Sequence, residues 1–388
     1  MNDKRPRFDF DFHGTGLDGI FDDYAEMHEK CPVSWSDRYG GFWTLTRYDD
    51  IRAAEHDTET YSVAPSMILP PFGTDRPLIP LDIDPPALTG YRQILLPFFT
   101  PARMDTLIPR TRELAWQLLD EIDGQDVMDV SGYCRMLPAM VFGEYCGFPM
   151  EHAAMFDQWV DDIVFARSDD ESVARAAAND VYAYFSDLIG FRRHEPGDDV
   201  ISALLAADHG GRPLDDEEMI DICYLLFVAG LETTAGTIRA GLWHLAQTPD
   251  DLAWVTADVS RIPAATEEFL RALAPVQAMA RTLKLDTEVG GVDMKAGERV
   301  VLAFGAANRD PEVFDCPHDI KLDRPSNPHT SFGIGAHRCI GSNLARREVN
   351  VAFEEFVTRF PRFELAEPAL WHGVGRLALR PVRTAEAS

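Results

Sequence analysis

The sequence has no Cys-x-x-Cys pair: its six cysteines (Cys31, Cys134, Cys146, Cys223, Cys316 and Cys339) are scattered without paired spacing. In a chain of 388 residues that argues against a disulfide framework and against a structural zinc site. Basic charge is scarce: 36 Lys and Arg face 64 Asp and Glu, for a net charge of −28. Nucleic acid and anionic membranes are therefore poor partners for the surface as a whole, and the acidity serves solubility. Long apolar runs are missing too. The longest, Met219 to Leu231, contains Asp221 and is too short to span a bilayer. The N-terminus, "MNDKRPRFDFDF", alternates acids with phenylalanine and has no apolar core of signal-peptide length. No Gly/Ser/Pro linker, low-complexity stretch or internal repeat divides the chain. The expectation is a soluble, cytoplasmic monomer, 1–388, built as a single domain with a smaller lobe.

What is present reads mainly as helix. Tyr24 to Lys30 and Asp50 to His56 are short amphipathic pieces, and Asp105 to Ile122 repeats apolar residues near every 3.6 positions. Val173 to Phe191 is similar. Asp215, with Glu218 three residues on, forms a capping pair that opens a helix running to about Gln247, long enough to cross the whole molecule. Strand signals are fewer: Gly40 to Tyr48, and Thr287 to Phe304 as a hairpin turning at "KAGE". A β-containing lobe is expected from about 33–65 and 287–304 plus the C-terminal stretch, with the remainder helical. The proline-rich, apolar Ala64 to Pro86 segment reads as a long loop of the kind that lines binding sites. The class is mainly α with a small β portion.

Cys339 lies in "SFGIGAHRCIGSNLARREV", a loop with Phe332, Gly333, Gly335 and Gly341 around it and a helical pattern after it. Glycine permits positive φ and close approach to a bulky group. A thiol just before a helix N-terminus has its thiolate favoured, as nucleophile or as metal ligand. A buried, inert thiol is the alternative. Glu268 and Arg271, three apart in "EEFLRALAP", suit an ion pair on one helix face, by default a weak surface one. In the middle of the long helix, "FVAGLETTAGT" gathers Ala229, Gly230, Glu232, Thr233, Thr234 and Gly236, an acid, two hydroxyls and glycines where helices avoid them. Such violations in one turn point to function, although small residues also allow close helix packing.

Taken together, these clusters resemble the cytochrome P450 superfamily, in particular its soluble bacterial class. The Phe-x-x-Gly-x-x-x-Cys-x-Gly pattern is similar to its haem-binding loop, where the cysteine thiolate is the axial iron ligand. The resemblance implies the P450 fold, a triangular prism with a long central helix over haem b. It implies cofactor contacts from Cys339 as iron ligand, and from His337, Arg281, Arg92, Phe332, Gly333, Gly341, Ala229 and Gly230. His337, Arg281 and Arg92 would meet the haem propionates. Arg92 falls in "DPPALTGYRQILLPFFTP", where Leu88 stands at the place the family usually gives a histidine, so one propionate contact is missing. Glu268 and Arg271 would be structural, holding "ANRDPEVF" (Ala307 to Phe314) and the core around the haem loop. Thr233 and Glu232 would deliver protons for oxygen activation.

The implied activity is insertion of one atom of O2 into a C–H bond of an apolar small molecule, whether terpenoid, aromatic or polyketide-like. "CPVSWSDRYGGFWTLTRYDDI" is similar to the camphor-hydroxylase-like branch, which hints at terpenoids. The substrate pocket is expected from Ser66 to Ile79, including Met67 and Ile68, from the helix near Phe227, and from Val276, Ala278 and Met279. A "GTGLDG" stretch, Gly14 to Gly19, has dinucleotide-fingerprint spacing. The acids before it and Asp18 inside it speak against a nicotinamide site. Electrons must then come from outside, from a ferredoxin served by an NAD(P)H-dependent ferredoxin reductase, docking at Arg338, Arg346 and Arg347. Two other readings remain: a haem-thiolate enzyme of unusual outcome (oxidative coupling, desaturation, peroxide-driven turnover), and a haem binder without catalysis, which would not need Glu232 and Thr233.

Overall fold

A computed structural model describes residues 5–13, 19–372 and 375–382. Most of "GTGLDG" lies outside them. The molecule is organised around the helix Asp216–Gln247, called here the central helix, of 32 residues and about 48 Å at 1.5 Å per residue. Its start follows from the capping pair: the Asp215 carboxylate accepts from the Glu218 backbone at 2.9 Å, and the Glu218 carboxylate accepts from the Asp215 backbone at 2.9 Å. Ser131–Cys146, Glu171–His194, Ile262–Leu273 and Ser342–Arg359 pack around it. Among the described residues it is the one helix long and apolar enough to cross a membrane, but 61% of its apolar window is buried in protein. That is the signature of a core helix.

Apolar spacing also explains Ser342–Arg359, the cysteine helix. It buries Leu344, Val349, Ala352, Phe353 and Phe356 on one side, with Phe353 5.4 Å from Phe269 of Ile262–Leu273. The helix expected over Asp105 to Ile122 is broken. Pro101–Asp105 ends, and Ile108–Ile122 starts anew with Pro109 in its first turn, where the missing N–H costs nothing.

Five short strands form one sheet in the order Val33–Ser36, Phe42–Leu45, Arg299–Leu302, Met279–Leu283 and Tyr61–Ser62. Phe42–Leu45 and Arg299–Leu302 run parallel, with Trp43 opposite Val300 and Leu45 opposite Leu302. The hairpin expected to turn at "KAGE" turns earlier. Thr287–Val289 pairs with Val292–Met294, and Gly290 and Gly291 take φ of +59° and +80°, as a tight two-residue turn demands. Arg299–Leu302 leaves that hairpin because its apolar side chains pack between Phe42–Leu45 and Met279–Leu283. The strand expected over Gly40 to Tyr48 is shorter, since Tyr48 already begins the helix Tyr48–His56. The C-terminal strand Ala378–Pro381 joins a separate small sheet with Met128–Asp129 and Phe363–Leu365.

The Ala64 to Pro86 segment is a loop, and it is wound around one carboxylate. Buried Asp82 accepts from the backbone of Met67 at 2.7 Å and of Leu78 at 3.0 Å. The carbonyl of Met67 then accepts from Ala280, which docks the loop on the sheet.

Candidate active site

The cysteine loop closes on itself through the Cys339 amide, which donates to the Phe332 carbonyl at 2.7 Å. Gly333 and Gly335 take φ of +64° and +66°. At Gly335 the need for glycine is double: a Cβ there would lie 2.7 Å from the Glu55 carbonyl oxygen. Two residues after Cys339, Gly341 caps the cysteine helix. The Cys339 side chain is exposed although it sits deep in the protein. Burial pushes the free thiol up, against the lowering influence of the Gly341 amide, Arg338, Arg92 and Arg346. The helix terminus favours the thiolate, as its position implies, but burial outweighs it. A coordinated metal would ionise it, because a ligating thiol gives up its proton outright.

Several cations gather at the loop. Arg92, on the helix Ala87–Leu95, donates to the Arg338 carbonyl at 2.8 Å. Arg281, on strand Met279–Leu283, is buried and pairs with Glu55. His337 feels both guanidiniums: burial, then Arg281 and Arg92, hold it down at about 4, so it is neutral near pH 7. Its Nε2 is buried without a hydrogen-bond partner. Leu88, on the same helix as Arg92, is buried.

An open thiol and an unpartnered imidazole nitrogen flanked by two guanidiniums fit an iron porphyrin with its carboxylates. Cys339 would hold the iron. His337, Arg92 and the outer face of Arg281 would meet the propionates.

The central helix carries an open stripe. Ala229 is exposed, and Leu225, Thr233 and Gly236 are half-exposed, at the four- and three-residue spacing of one helix face. The Thr233 hydroxyl donates back to the Ala229 carbonyl at 3.1 Å. Glu232 points elsewhere, toward Arg135 of Ser131–Cys146. It lines a cavity of about 20 Å³ with Arg135, Asp157 and Phe156, room for one water. Burial raises its carboxyl to about 7, Arg135 lowering it and Asp161 and Asp157 raising it. Arg135 is itself held at 2.6 Å by each of Asp157 and Asp161.

Gly230, expected as a cofactor contact, is where the central helix packs closely on Ser131–Cys146. A Cβ there would lie 2.5 Å from the Phe142 ring. Thr234, beside Thr233, lies near Glu348 of the cysteine helix, a wholly buried carboxyl held well above its ordinary value by burial and eased only in part by Thr234. One oxygen of Glu348, Oε1, is buried without a hydrogen-bond partner.

Arg271 is wholly buried. It donates to Glu268 at 2.8 Å twice, and to the carbonyls of Asn308, Pro317 and Asp319 at 2.7, 2.8 and 2.8 Å. Glu268 also accepts from the Lys321 amide, Arg324 and Asn327. The pair spans to the chain that leads into the cysteine loop. Burial pushes Glu268 up, but Arg271 and Arg324 outweigh it and keep it ionised.

Of the expected pocket residues, Met67 is buried, while Ile68, Val276, Ala278 and Met279 are half-buried around the loop and sheet. Phe227 does not face a pocket. It is fully buried among Phe148, Phe156, Trp159 and Phe185, with ring centroids 5.6–6.4 Å away.

The three arginines differ. Arg346 is bound by Glu267 at 2.6 and 2.8 Å and lies 4.4 Å over the Phe332 ring. Arg347 pairs with Asp105 at 2.8 Å. Arg338 is exposed, with no ion pair among the described residues.

Sequence reasoning missed Glu55, Asp82, Arg135 and Glu348. For Glu55 a signal existed: it is the acid on the buried face, Ile51–Ala54–Glu55, of an amphipathic helix.

A cytochrome P450 family profile matches residues 150–368. The chain is 34% identical to 6-deoxyerythronolide B hydroxylase of Saccharopolyspora erythraea, over 90% of this chain and 91% of that one. It is 35% identical to the mycinamicin IV hydroxylase/epoxidase of Micromonospora griseorubida, over 92% and 91%. Among solved structures, the bacillaene polyketide synthase cytochrome P450 PksS of Bacillus subtilis superimposes with a TM-score of 0.86 at 29% identity, over 96% of this chain and 100% of that one.

Proposed function

The chain belongs to the cytochrome P450 family and is an oxidoreductase, and from that premise we propose a soluble, cytoplasmic haem-thiolate monooxygenase whose iron Cys339 would hold, with a polyketide-like substrate. The observation that carries the reading is the open Cys339 thiol beside the buried, unpartnered His337 Nε2. When bound, the haem supplies the chemistry that splits O2 and inserts one of its atoms into a C–H bond.

The chain's own residues do the rest. Cys339 would hold the metal; a Cβ at Gly341 would stand 4.0 Å from its sulfur, while Gly333 and Gly335 make room for the Tyr48–His56 helix at Glu55. His337, Arg92 and Arg281 would orient the cofactor through its carboxylates, and Phe332 closes the loop against Arg346. On the open stripe, Ala229 leaves room for a small ligand and Thr233 presents a hydroxyl there. That hydroxyl is parked on the Ala229 carbonyl and turns to donate when a better acceptor arrives. Glu232, held at about 7, picks up and releases a proton at neutral pH, and the small cavity beside it has room for a water between it, Arg135 and Asp157. General acid help of this kind is worth about 10²–10⁴-fold.

Met67, Ile68, Val276, Ala278 and Met279 offer a mostly apolar wall, suited to a large apolar substrate. The hydroxylases of macrolide biosynthesis among the relatives favour a polyketide-like compound over a terpenoid or an aromatic. Electrons come from a ferredoxin and its NAD(P)H-dependent reductase.

A reduced, CO-treated sample tests the reading. The red-shifted band of thiolate-ligated haem is expected, and its loss in Cys339→Ser. Spin-state titration with macrolactones, terpenoids and simple aromatics then ranks the substrate classes. A strong response to terpenoids alone overturns the polyketide assignment. Thr233→Ala is expected to consume electrons and O2 with product lowered at least ~10²-fold.

A further inference from the structure

The Tyr48–His56 helix brings a carboxylate to the cysteine loop that the mechanism above does not use. Glu55 is 4% exposed and sits on the buried face with Ile51 and Ala54. It makes two contacts of different kinds. One is an ion pair with the buried Arg281 guanidinium. The other is a bond from the Ile334 backbone amide, inside the cysteine loop, at 3.1 Å. The Gly333 and Gly335 positions press against the same residue: Cβ atoms there would stand 3.5 Å from Glu55 Oε2 and 2.7 Å from its carbonyl oxygen. Arg281 therefore does not wait with a free fork. One arm donates to Glu55 and the other to the Ala280 carbonyl at 2.9 Å.

A buried carboxylate is held this way only where its partners repay desolvation. A helix that merely needed to dock on the loop would do so with an apolar side chain at lower cost. The charge has a further consequence. Arg281 is half-neutralised before a propionate reaches it, so the cofactor's carboxylate and Glu55 share one guanidinium. That leaves one more negative charge next to the porphyrin edge than Arg281 alone would, in a site dry enough for the charge to be felt.

We propose that Glu55 is a positioning residue: it fixes the Arg281 fork and the Ile334 amide against each other, and its negative charge sets the cofactor's reduction potential. The inference rests on the haem reading of the site. Glu55 touches neither substrate nor the reacting atoms; it acts through Arg281 and the loop.

The test uses the full-length, haem-loaded protein. The wild type is first checked for the thiolate–CO band. If it takes up no haem, the functional reading fails, and that failure is independent of Glu55. Given a loaded wild type, the ferric/ferrous midpoint potential and the rate of haem transfer to an apo-globin acceptor are measured for Glu55→Gln and Glu55→Asp. Glu55→Gln is expected to move the potential positive and to release haem several-fold faster while keeping the thiolate–CO band. Glu55→Asp keeps the charge, and with it the wild-type potential. It is too short to span both partners, so its haem release still quickens. A wild-type potential in Glu55→Gln, even with a lowered melting temperature, overturns the proposal, because it leaves Glu55 a purely structural residue. Should Glu55→Gln not fold, Glu55→Asp decides: haem release at the wild-type rate overturns the proposal.

Discussion

Arg271 and Glu268, three residues apart on Ile262–Leu273, close two hydrogen bonds of 2.8 Å with both side chains wholly out of solvent. What makes this ion pair matter is its reach. Arg271 satisfies three carbonyls between Asn308 and Asp319, and Glu268 gathers the Lys321 amide, Arg324 and Asn327. Removing Arg271 leaves those carbonyls short of donors and Glu268 buried with a single guanidinium. Arg271→Ala is expected to cost about 3–5 kcal/mol, the range for breaking one side of a buried pair. Arg271→Lys should recover little of it, since an ammonium cannot serve the same fork of acceptors. Denaturant unfolding of both variants checks this, with loss of holoprotein yield as the cellular counterpart.

Glu232 makes stability depend on pH in a window set by its own titration. Its ordinary value is 4.5 and burial raises it to about 7 in the folded chain. The folded state therefore holds the proton more tightly, so the stabilisation is complete below pH 4.5 and is lost as pH rises through about 7. At 1.36 kcal/mol per unit, reduced for the carboxyl's partial exposure to the internal cavity, the span is on the order of 2 kcal/mol. Glu232→Gln carries no such titration. Melting curves of the two proteins should diverge from pH 4.5 upward, the variant gaining relative to the wild type. Parallel curves across that window would remove Glu232 as the titrating group.

Much of this was legible because the informative residues are close in sequence. The Asp215–Glu218 box and the apolar spacing that follows specify the central helix from within one segment. The glycines around Cys339 announce a strained, exposed loop without any tertiary knowledge. Arg299–Leu302 was misassigned because its partners, Phe42–Leu45 and Met279–Leu283, are not its neighbours in the turn. Local β-propensity identifies a strand but not what it pairs with. Phe227 follows the same logic: an aromatic on the central helix fits a pocket wall and a core equally well until Phe148, Phe156 and Phe185 are seen around it. Glu55 and Glu348 stayed hidden because a single acid on an apolar helix face gains meaning only from the group it meets, Arg281 for one and Thr234 for the other.

Of the three arginines beside the cysteine loop, Arg338 is exposed and has no ion pair among the described residues, so the proposed docking of an acidic electron donor is tested there. Arg338→Glu is expected to slow reduction by a ferredoxin about 10-fold or more at low ionic strength, with the difference fading as salt rises. Stopped-flow reduction across a salt series measures it, and substrate spin-state titration should be unchanged. Arg346→Glu behaves differently. It sets a carboxylate against Glu267, whose own carboxyl burial pushes up but Arg346 and His329 hold at about 2. That variant should lose thermal stability first. A reduction rate insensitive to Arg338→Glu at low salt would place the docking surface elsewhere.

Gly230 gives the sharpest test of packing against propensity. Alanine in place of glycine inside a helix is worth up to about 1 kcal/mol in the helix's favour. Here the added Cβ would stand 2.5 Å from Phe142 Cε1 and 2.7 Å from two more ring atoms, a distance no real contact adopts. Overpacking of that kind costs about 1–3 kcal/mol, which exceeds the propensity gain over most of its range, so Gly230→Ala should destabilise the protein by up to about 2 kcal/mol on balance. The cause is specific to one ring. Phe142→Leu alone should also destabilise, because it opens space between the central helix and Ser131–Cys146. The double variant should be more stable than the sum of the two losses predicts, since each change makes room for the other. Denaturant midpoints of the four proteins complete the cycle. An additive result would mean that Gly230 is needed for backbone freedom or for the open face of the helix, and that the Phe142 contact is incidental.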